Sequence, residues 1–245
     1  MDEQVRYGLA MSLTRENFVW HKLHSLTGIV PIGFYMLQHL TLNSFSLMGP
    51  GHFNAVITFF GDLMPKHILW TLEIGVLALP ILFHGVYGLF ITQRAQSNVF
   101  EPKYRHRENA MYTLQRYSGV ALFLLLIAHV WSTTINSKVH GEEVIKYAAW
   151  HDMLTSHGYI VLILYMVGIL LASYHLSYGI WNFCIRWGIV VSEKAQLVLR
   201  KCSSVVFVAV TILGWAAILG FVYPAFQPGG AAQDAGGEVS ASLMR

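Results

Sequence analysis

The chain has 245 residues, of which 55% are hydrophobic and only 12% are charged, with two cysteines and a net charge of +3. A soluble protein carries roughly 25% charged residues, so this composition indicates a membrane protein. It excludes a disordered chain, a disulfide scaffold and a nucleic-acid-binding arm. One count is unusual: 12 histidines stand beside 13 acidic residues.

Five apolar segments follow a polar N-terminal stretch that shows no secretory signal. They cover residues 23–44, 67–92, 114–136, 154–186 and 197–223. Each has the roughly 20 residues that a spanning helix needs, and helices are expected because unpaired backbone groups are costly in lipid. The predicted fold class is all-α, an integral membrane bundle of five transmembrane helices over residues 1–226. A tail rich in Gly, Ala and Ser, 227–245, is expected to be disordered.

Positive charge orients the predicted bundle. Counting span ends, 12 of the 16 Lys and Arg residues lie on the side shared by the N-terminus and the loops 93–113 and 187–196. The positive-inside rule then puts the N-terminus in the cytoplasm and the C-terminus outside. The 93–113 loop is strongly basic and is interpreted as an ordinary inside loop, as a docking surface for a cytoplasmic partner, or as a site for anionic lipid.

Four histidines lie well inside predicted spans, one on each of the first four helices: His39, His84, His129 and His175. A buried ionisable residue in a span is a functional hypothesis by default. At roughly 1.5 Å per residue, His39 and His129 fall in the outer half, because their helices run outward, and His84 and His175 fall in the cytoplasmic half. Topology therefore predicts two histidine pairs at levels roughly 10–17 Å apart.

Paired imidazoles from facing helices are the ligands of a six-coordinate haem inside a helical bundle. A histidine-lined metal transporter is the alternative, although it would usually add intramembrane carboxylates or thiolates. Glu73 is the clear carboxylate within a span, and it is either a proton or quinone contact near the outer pair or a helix-end group facing water. Glycines near the histidines are either room for a flat macrocycle or ordinary helix packing; they are Gly28, Gly33, Gly85, Gly88, Gly119 and Gly179.

The histidines stand in four sequence runs, which are RENFVWHKLHSLTGIVPIGFYMLQHL, LPILFHGVYGLFI, LQRYSGVALFLLLIAHVW and ASYHLSYGIWNFCIRWGI. Their motifs are Gln38–His39, H-x-V-Y-G from His84, H-V-W from His129 and H-x-S-x-G-x-W from His175. These runs resemble the cytochrome b subunit of succinate:quinone oxidoreductases, in the type in which one polypeptide carries five helices and two b haems. The resemblance covers nearly all of residues 15–223.

The resemblance implies that His39 and His129 bind the iron of an outer haem and that His84 and His175 bind the iron of an inner haem. It further implies partners on the cytoplasmic side, a flavoprotein with covalent FAD and an iron–sulfur subunit, in a bacterial cytoplasmic (inner) membrane. The chain would be the electron-transfer subunit of this enzyme complex and would not itself act on succinate. Electrons from succinate would pass through both haems to a quinone, usually menaquinone.

The resemblance is compatible with two alternative functions. The same chain of cofactors working in reverse is a fumarate reductase, and a dihaem cytochrome b of another quinone-linked dehydrogenase is the nearest rival. No nucleic-acid partner is expected, and association of complexes into higher oligomers is left open.

Contacts to the quinone and to haem propionates are predicted from position. An outer quinone site would use Asn43, Asp62 and Glu73. A rival inner site would lie near Trp20, His24 and Ser25, but Ser25 stands where one-haem relatives carry Arg, which weakens it. Propionates of the inner haem would be held by basic and polar side chains at the cytoplasmic ends of helices; the candidates are Lys22, His24, Ser25 and Arg116.

Overall fold

The structure is a computed structural model that describes residues 18–63, 65–95 and 101–223. Within these ranges the regular elements are helices and no strand occurs. This agrees with the all-α fold class, because a helix satisfies its backbone hydrogen bonds within one segment. The predicted disordered tail, 227–245, lies outside the described residues.

Seven helices follow one another along the described chain. Three of them contain a wider π-helical segment. These segments are Gly28–Gly33, which includes Pro31, Glu73–Ala78 and Trp131–Ile135. The helices are α1 over 18–43, α2 over Pro50–Leu63, α3 over Lys66–Arg94, α4 over Arg107–His140, α5 over Tyr147–Thr155, α6 over Ile160–Arg186 and α7 over Glu193–Leu219.

Four of the described helices are long and apolar enough to cross a membrane: Lys66–Arg94, Arg107–His140, His157–Arg186 and Glu193–Leu219. They correspond to the second to fifth predicted spans. Helix α1, the predicted first span, is not among these four. It is helical over its described length, but polar side chains such as Ser25, Gln38 and His39 lower its mean hydropathy. Large apolar side chains face outward along the long helices, as a lipid-facing surface requires.

The fourth predicted span begins too early. Residues 154 and 155 belong to the separate helix α5, and the chain bends before α6 begins at Ile160. His157, Gly158 and Tyr159 have φ angles of 51°, 65° and 64°, a left-handed conformation that interrupts a right-handed helix. Apolar composition does not indicate where φ becomes positive, so the sequence pattern joined the end of α5 and α6 into one predicted span. Helices α2 and α5 also occupy stretches that the sequence pattern left as outer connections.

The chain divides into two compact units. The first unit comprises Met1–Tyr35, Thr71–Ala121 and Tyr174–Phe207, and it contains His84 and His175. The second unit comprises Met36–Trp70, Leu122–Ser173 and Val208–Arg245, and it contains His39 and His129. Each unit therefore contains one of the predicted histidine pairs.

The second unit has an aromatic core in which α2 and α5 pack against the end of α7. The ring of Phe53 meets that of Phe221 edge to face at 4.7 Å between centroids, and Trp150 stacks on Phe221 at 5.7 Å. The Tyr147 hydroxyl donates to the Gly220 carbonyl over 2.7 Å. Because buried aromatic rings and satisfied polar groups both favour a single arrangement, this core fixes the segment just beyond α7.

Candidate functional site

His84 on α3 and His175 on α6 face each other in the first unit. Their ring centroids are 6.2 Å apart and their planes are turned by 86°. A metal–imidazole bond is roughly 2 Å long and the nitrogen lies roughly 1 Å from the ring centre, so two imidazoles on opposite sides of one ion have centres about 6 Å apart. The pair therefore has the separation that two axial ligands of one haem iron require.

Hydrogen bonds orient both imidazoles of this pair. The Nδ1–H of His84 donates to the His24 carbonyl over 2.9 Å. The Nδ1 of His175 lies 3.1 Å from the Gln115 carbonyl and 3.2 Å from the Ser118 hydroxyl. With its proton held at Nδ1, each ring keeps the Nε2 lone pair for a metal, which is the usual arrangement of a metal-binding histidine.

Two glycines make room for these rings. A Cβ on Gly119 would lie 2.8 Å from Cε1 of His175, and a Cβ on Gly28 would overlap the His84 ring. The sequence explained such glycines by the macrocycle or by helix packing. In the structure, these two admit the imidazoles themselves, and Gly33 packs on Leu176 as an ordinary helix contact.

His39 on α1 and His129 on α4 form the corresponding pair of the second unit. Their ring centroids are 5.8 Å apart and their planes are turned by 81°, so this pair also has roughly the separation that two imidazoles on opposite sides of one metal ion require. The Nδ1 of His129 lies 3.1 Å from the Tyr165 hydroxyl, and the Trp150 ring lies 6.4 Å away between centroids. Asn43, one of the predicted quinone contacts, donates to the His39 carbonyl over 2.8 Å.

The predicted propionate contacts separate into three places. His24 joins the first-unit pair, because its ring stacks on His84. Lys22 and Ser25 meet at Trp187 instead: the ammonium lies 4.7 Å from the indole centroid, and the Ser25 hydroxyl accepts from its Nε1–H over 3.0 Å. Arg116 donates to the Thr113 hydroxyl over 3.3 Å.

Arg116 retains a donor that suits an anion. Its Nε is buried and has no hydrogen-bond partner within the described part of the chain. A buried N–H without an acceptor costs free energy, so this atom suits a carboxylate such as a haem propionate. The residues present therefore fit a haem at the His84–His175 pair.

The other two predicted quinone contacts are Asp62 and Glu73. Asp62 is exposed near the end of α2 in the second unit. Glu73 belongs to the first unit, where it is partly buried at the start of the Glu73–Ala78 turn. The structure thus assigns the three predicted residues to two different units.

Sequence reasoning missed the residues that hold the imidazoles. Tyr165, Gln115 and Ser118 lie in apolar spans, where periodicity does not reveal which helix faces which.

Among the described residues, no cluster of three or more His, Cys, Asp and Glu side chains suits a metal ion.

Together these features define a class of protein: a membrane-spanning helical protein that pairs imidazoles from different helices at the spacing of axial haem ligands. Residues 92–218 match the succinate dehydrogenase/fumarate reductase transmembrane subunit family. The succinate dehydrogenase cytochrome b558 subunit of Bacillus subtilis (strain 168) is 34% identical over 212 residues, which are 86% of this chain and 100% of that relative. The chain belongs to this family of transmembrane cytochrome b subunits, as its sequence runs indicated.

Proposed function

We propose that the chain is the dihaem cytochrome b subunit of a succinate dehydrogenase, anchoring the complex in a bacterial cytoplasmic membrane by five spanning helices. The observation that carries the proposal is the presence of two histidine pairs with ring centres 6.2 and 5.8 Å apart. Family membership supplies the context, because the Bacillus subtilis relative is named as a cytochrome of succinate dehydrogenase.

Each histidine has a defined task under this proposal. His84 and His175 would hold the iron of the inner haem through Nε2, and His39 and His129 would hold the iron of the outer haem. When bound, the two haems would relay single electrons between an iron–sulfur subunit and a membrane quinone, with menaquinone the expected quinone. The chain's own residues orient His84, His129 and His175 through hydrogen-bond partners at their Nδ1 atoms.

The remaining predicted residues would surround these cofactors. Arg116 would bind an inner-haem propionate with its buried Nε, and Lys22, His24 and Ser25 would add polar contacts at the same end. Outer quinone contacts would come from Asn43, Asp62 and Glu73, of which Asn43 is one helical turn from His39. A quinone takes up two protons when it is reduced, so a carboxylate such as Glu73 suits such a site.

Partners would dock on the cytoplasmic side. The flavoprotein with FAD and the iron–sulfur subunit would bind the face that carries the 93–113 loop, since the positive-inside rule puts that loop in the cytoplasm. Fumarate reductase, which runs the same electron path in reverse, is the second candidate. The family includes both enzymes by its description, whereas the name of the Bacillus subtilis relative favours succinate dehydrogenase.

Purification of the complex from its membrane tests the proposal. A flavoprotein and an iron–sulfur subunit should co-purify with the chain, a pyridine haemochrome assay should find two haems b per chain, and succinate should reduce them. A reduced-minus-oxidised spectrum without a b-type α-band would contradict the proposal and favour a transporter.

Single alanine variants test the pairing. His84→Ala and His175→Ala should remove one spectral component, and His39→Ala and His129→Ala should remove the other. Loss of the same component in His39→Ala and His84→Ala would show that the pairing is wrong.

A further inference from the structure

A cavity of about 230 Å³ opens in the first unit, where the C-terminal end of α3 lies beside α1 and α4. None of its lining residues is assigned above to haem or quinone, although the ring of Tyr87 in the lining lies 5.7 Å from that of His24 between centroids. Seven residues line it: His21, Tyr87, Phe90, Ile91, Arg94, Ala95 and Tyr112.

The charge of this cavity suits an anion. Arg94 is part of its lining, and no Asp or Glu is among the seven residues. Burial and the nearby charge of Arg186 lower the pKa of His21, so its imidazole is neutral at pH 7 and offers a hydrogen-bond donor without a charge. An anion in this position would offset the positive charges of Arg94 and Arg186.

Donors in the lining have room for a ligand. The central carbon of the Arg94 guanidinium lies 3.9 Å from the centroid of the Phe90 ring, so this cation–π contact keeps the charged group in the cavity lining. The Nδ1 atom of His21 is buried and has no hydrogen-bond partner among the described residues. A planar guanidinium presents paired N–H groups that match phosphate oxygens.

Apolar surface continues from the cavity along α3. Phe90 lines the cavity and is 42% exposed, and Val86, one turn earlier on the same face, is 58% exposed. A ligand that uses both features has an anionic head and an apolar tail. A free phosphate would leave the apolar surface uncovered, and an uncharged quinone would itself offer no counter-ion to Arg94.

We propose that this cavity binds the phosphate headgroup of an anionic phospholipid, whose acyl chains lie along Phe90 and Val86. Basic pockets between membrane helices at a cytoplasmic surface are typical sites for such headgroups. The proposal goes beyond electron transfer and holds whether or not the chain binds two haems.

Lipid retention by the purified whole complex tests this site. The complex, stripped of lipid with detergent, is incubated with micelles that contain equal amounts of phosphatidylglycerol and phosphatidylcholine, and native mass spectrometry counts the lipids retained. The wild type should keep phosphatidylglycerol in preference. Arg94→Gln should weaken retention about tenfold, because it removes one charge-assisted phosphate contact.

Matched variants separate this site from general attraction to a basic surface. Arg105→Gln removes one positive charge from the same basic loop outside the cavity lining, and it should retain lipid like the wild type. Arg94→Lys keeps the charge and should retain more phosphatidylglycerol than Arg94→Gln. The visible spectrum and subunit composition confirm that each variant is assembled. If Arg94→Gln does not assemble, Tyr112→Phe is the second test. Weaker phosphatidylglycerol retention by Tyr112→Phe would support the site, and wild-type retention would contradict it.

Three results would overturn the proposal. Equal loss in Arg94→Gln and Arg105→Gln would mean that only the general charge of the loop attracts lipid. Displacement of phosphatidylglycerol by an equal concentration of inorganic phosphate would identify a site for free anions. Displacement by a short-chain menaquinone, with unchanged preference between the two lipids, would reassign the cavity to quinone.

Discussion

The imidazole of His24 stacks on that of His84, with ring centroids 4.1 Å apart and planes 6° from parallel. The carbonyl of the same residue accepts the Nδ1–H of His84 over 2.9 Å. His24 therefore acts on His84 in two ways, and only the stacking depends on its side chain. Removal of the His24 side chain therefore tests whether His24 positions His84 or is itself a haem ligand.

Replacement of His24 by alanine should leave two haems per chain in the purified complex. The carbonyl that orients His84 belongs to the backbone and survives the substitution, so His84, the proposed inner-haem ligand, keeps its tautomer. Loss of the stacked ring should shift the spectrum or potential of the inner component alone. A haem content of one per chain, as expected for His84→Ala, would instead identify His24 as a ligand.

Gly119→Ala should lower the haem content towards one per chain. The added methyl group would lie 2.8 Å from Cε1 of His175, a distance that forces the imidazole out of its position. The pyridine haemochrome assay measures the loss.

Gly75→Ala is the control for Gly119→Ala, because a Cβ there would meet no atom within 4 Å. It should retain two haems, since alanine is about 1 kcal/mol more favourable than glycine within a helix. Equal haem loss in both variants would show that the Gly119 contact is unimportant.

Tyr165→Phe should raise the midpoint potential of the outer haem. With the proposed iron at Nε2, the Nδ1–H of His129 would donate to the Tyr165 hydroxyl, which would make the imidazole a stronger electron donor and favour the oxidised iron. A hydrogen bond contributes about 1 kcal/mol, which is about 40 mV for one electron, so the shift should be no larger than this. Potentiometric titration of the two α-band components provides the measurement.

Ser118→Ala is a useful comparison for Tyr165→Phe. His175 also has the Gln115 carbonyl 3.1 Å from its Nδ1, so removal of the Ser118 hydroxyl leaves it an acceptor. The inner-haem potential should therefore change less than the outer one does in Tyr165→Phe. The opposite order would contradict the hydrogen-bond explanation.

Gly220→Ala should destabilise the second unit by about 1–3 kcal/mol, the usual cost of overpacking. A Cβ at this position would overlap the Ser46 hydroxyl and lie 2.8 Å from the Leu47 backbone nitrogen. Ser46 is completely buried and donates to the Ala217 carbonyl over 2.6 Å. Thermal denaturation followed by loss of the haem spectrum should show a lower transition temperature, while Gly51→Ala, which meets no atom within 4 Å, should not.

Sequence reasoning anticipated the long helices and the histidine pairs for a simple reason. The cost of burying polar backbone in lipid makes span length and helicity readable from composition. The direction of each span then gives the depth of a residue along it, which is sufficient to put His84 beside His175 rather than beside His39. Haem binding by these pairs remains a proposal.

The short elements were beyond this reasoning. Helices α2 and α5 are stabilised by contacts such as Phe53 with Phe221, which join residues far apart in the chain. The break before α6 depends on backbone angles that apolar composition does not encode.

Composition and helix direction thus specify which residues share a depth, because a spanning helix converts residue number into distance along its axis. They do not specify rotation about that axis or the choice of neighbours, which depend on side-chain packing between helices. The folded chain alone therefore reveals that His129 faces Tyr165 and that carbonyls of His24 and Gln115 serve the other pair. It also reveals that Arg94 and His21 line one cavity, since these two residues come together only when α1 and α3 pack side by side.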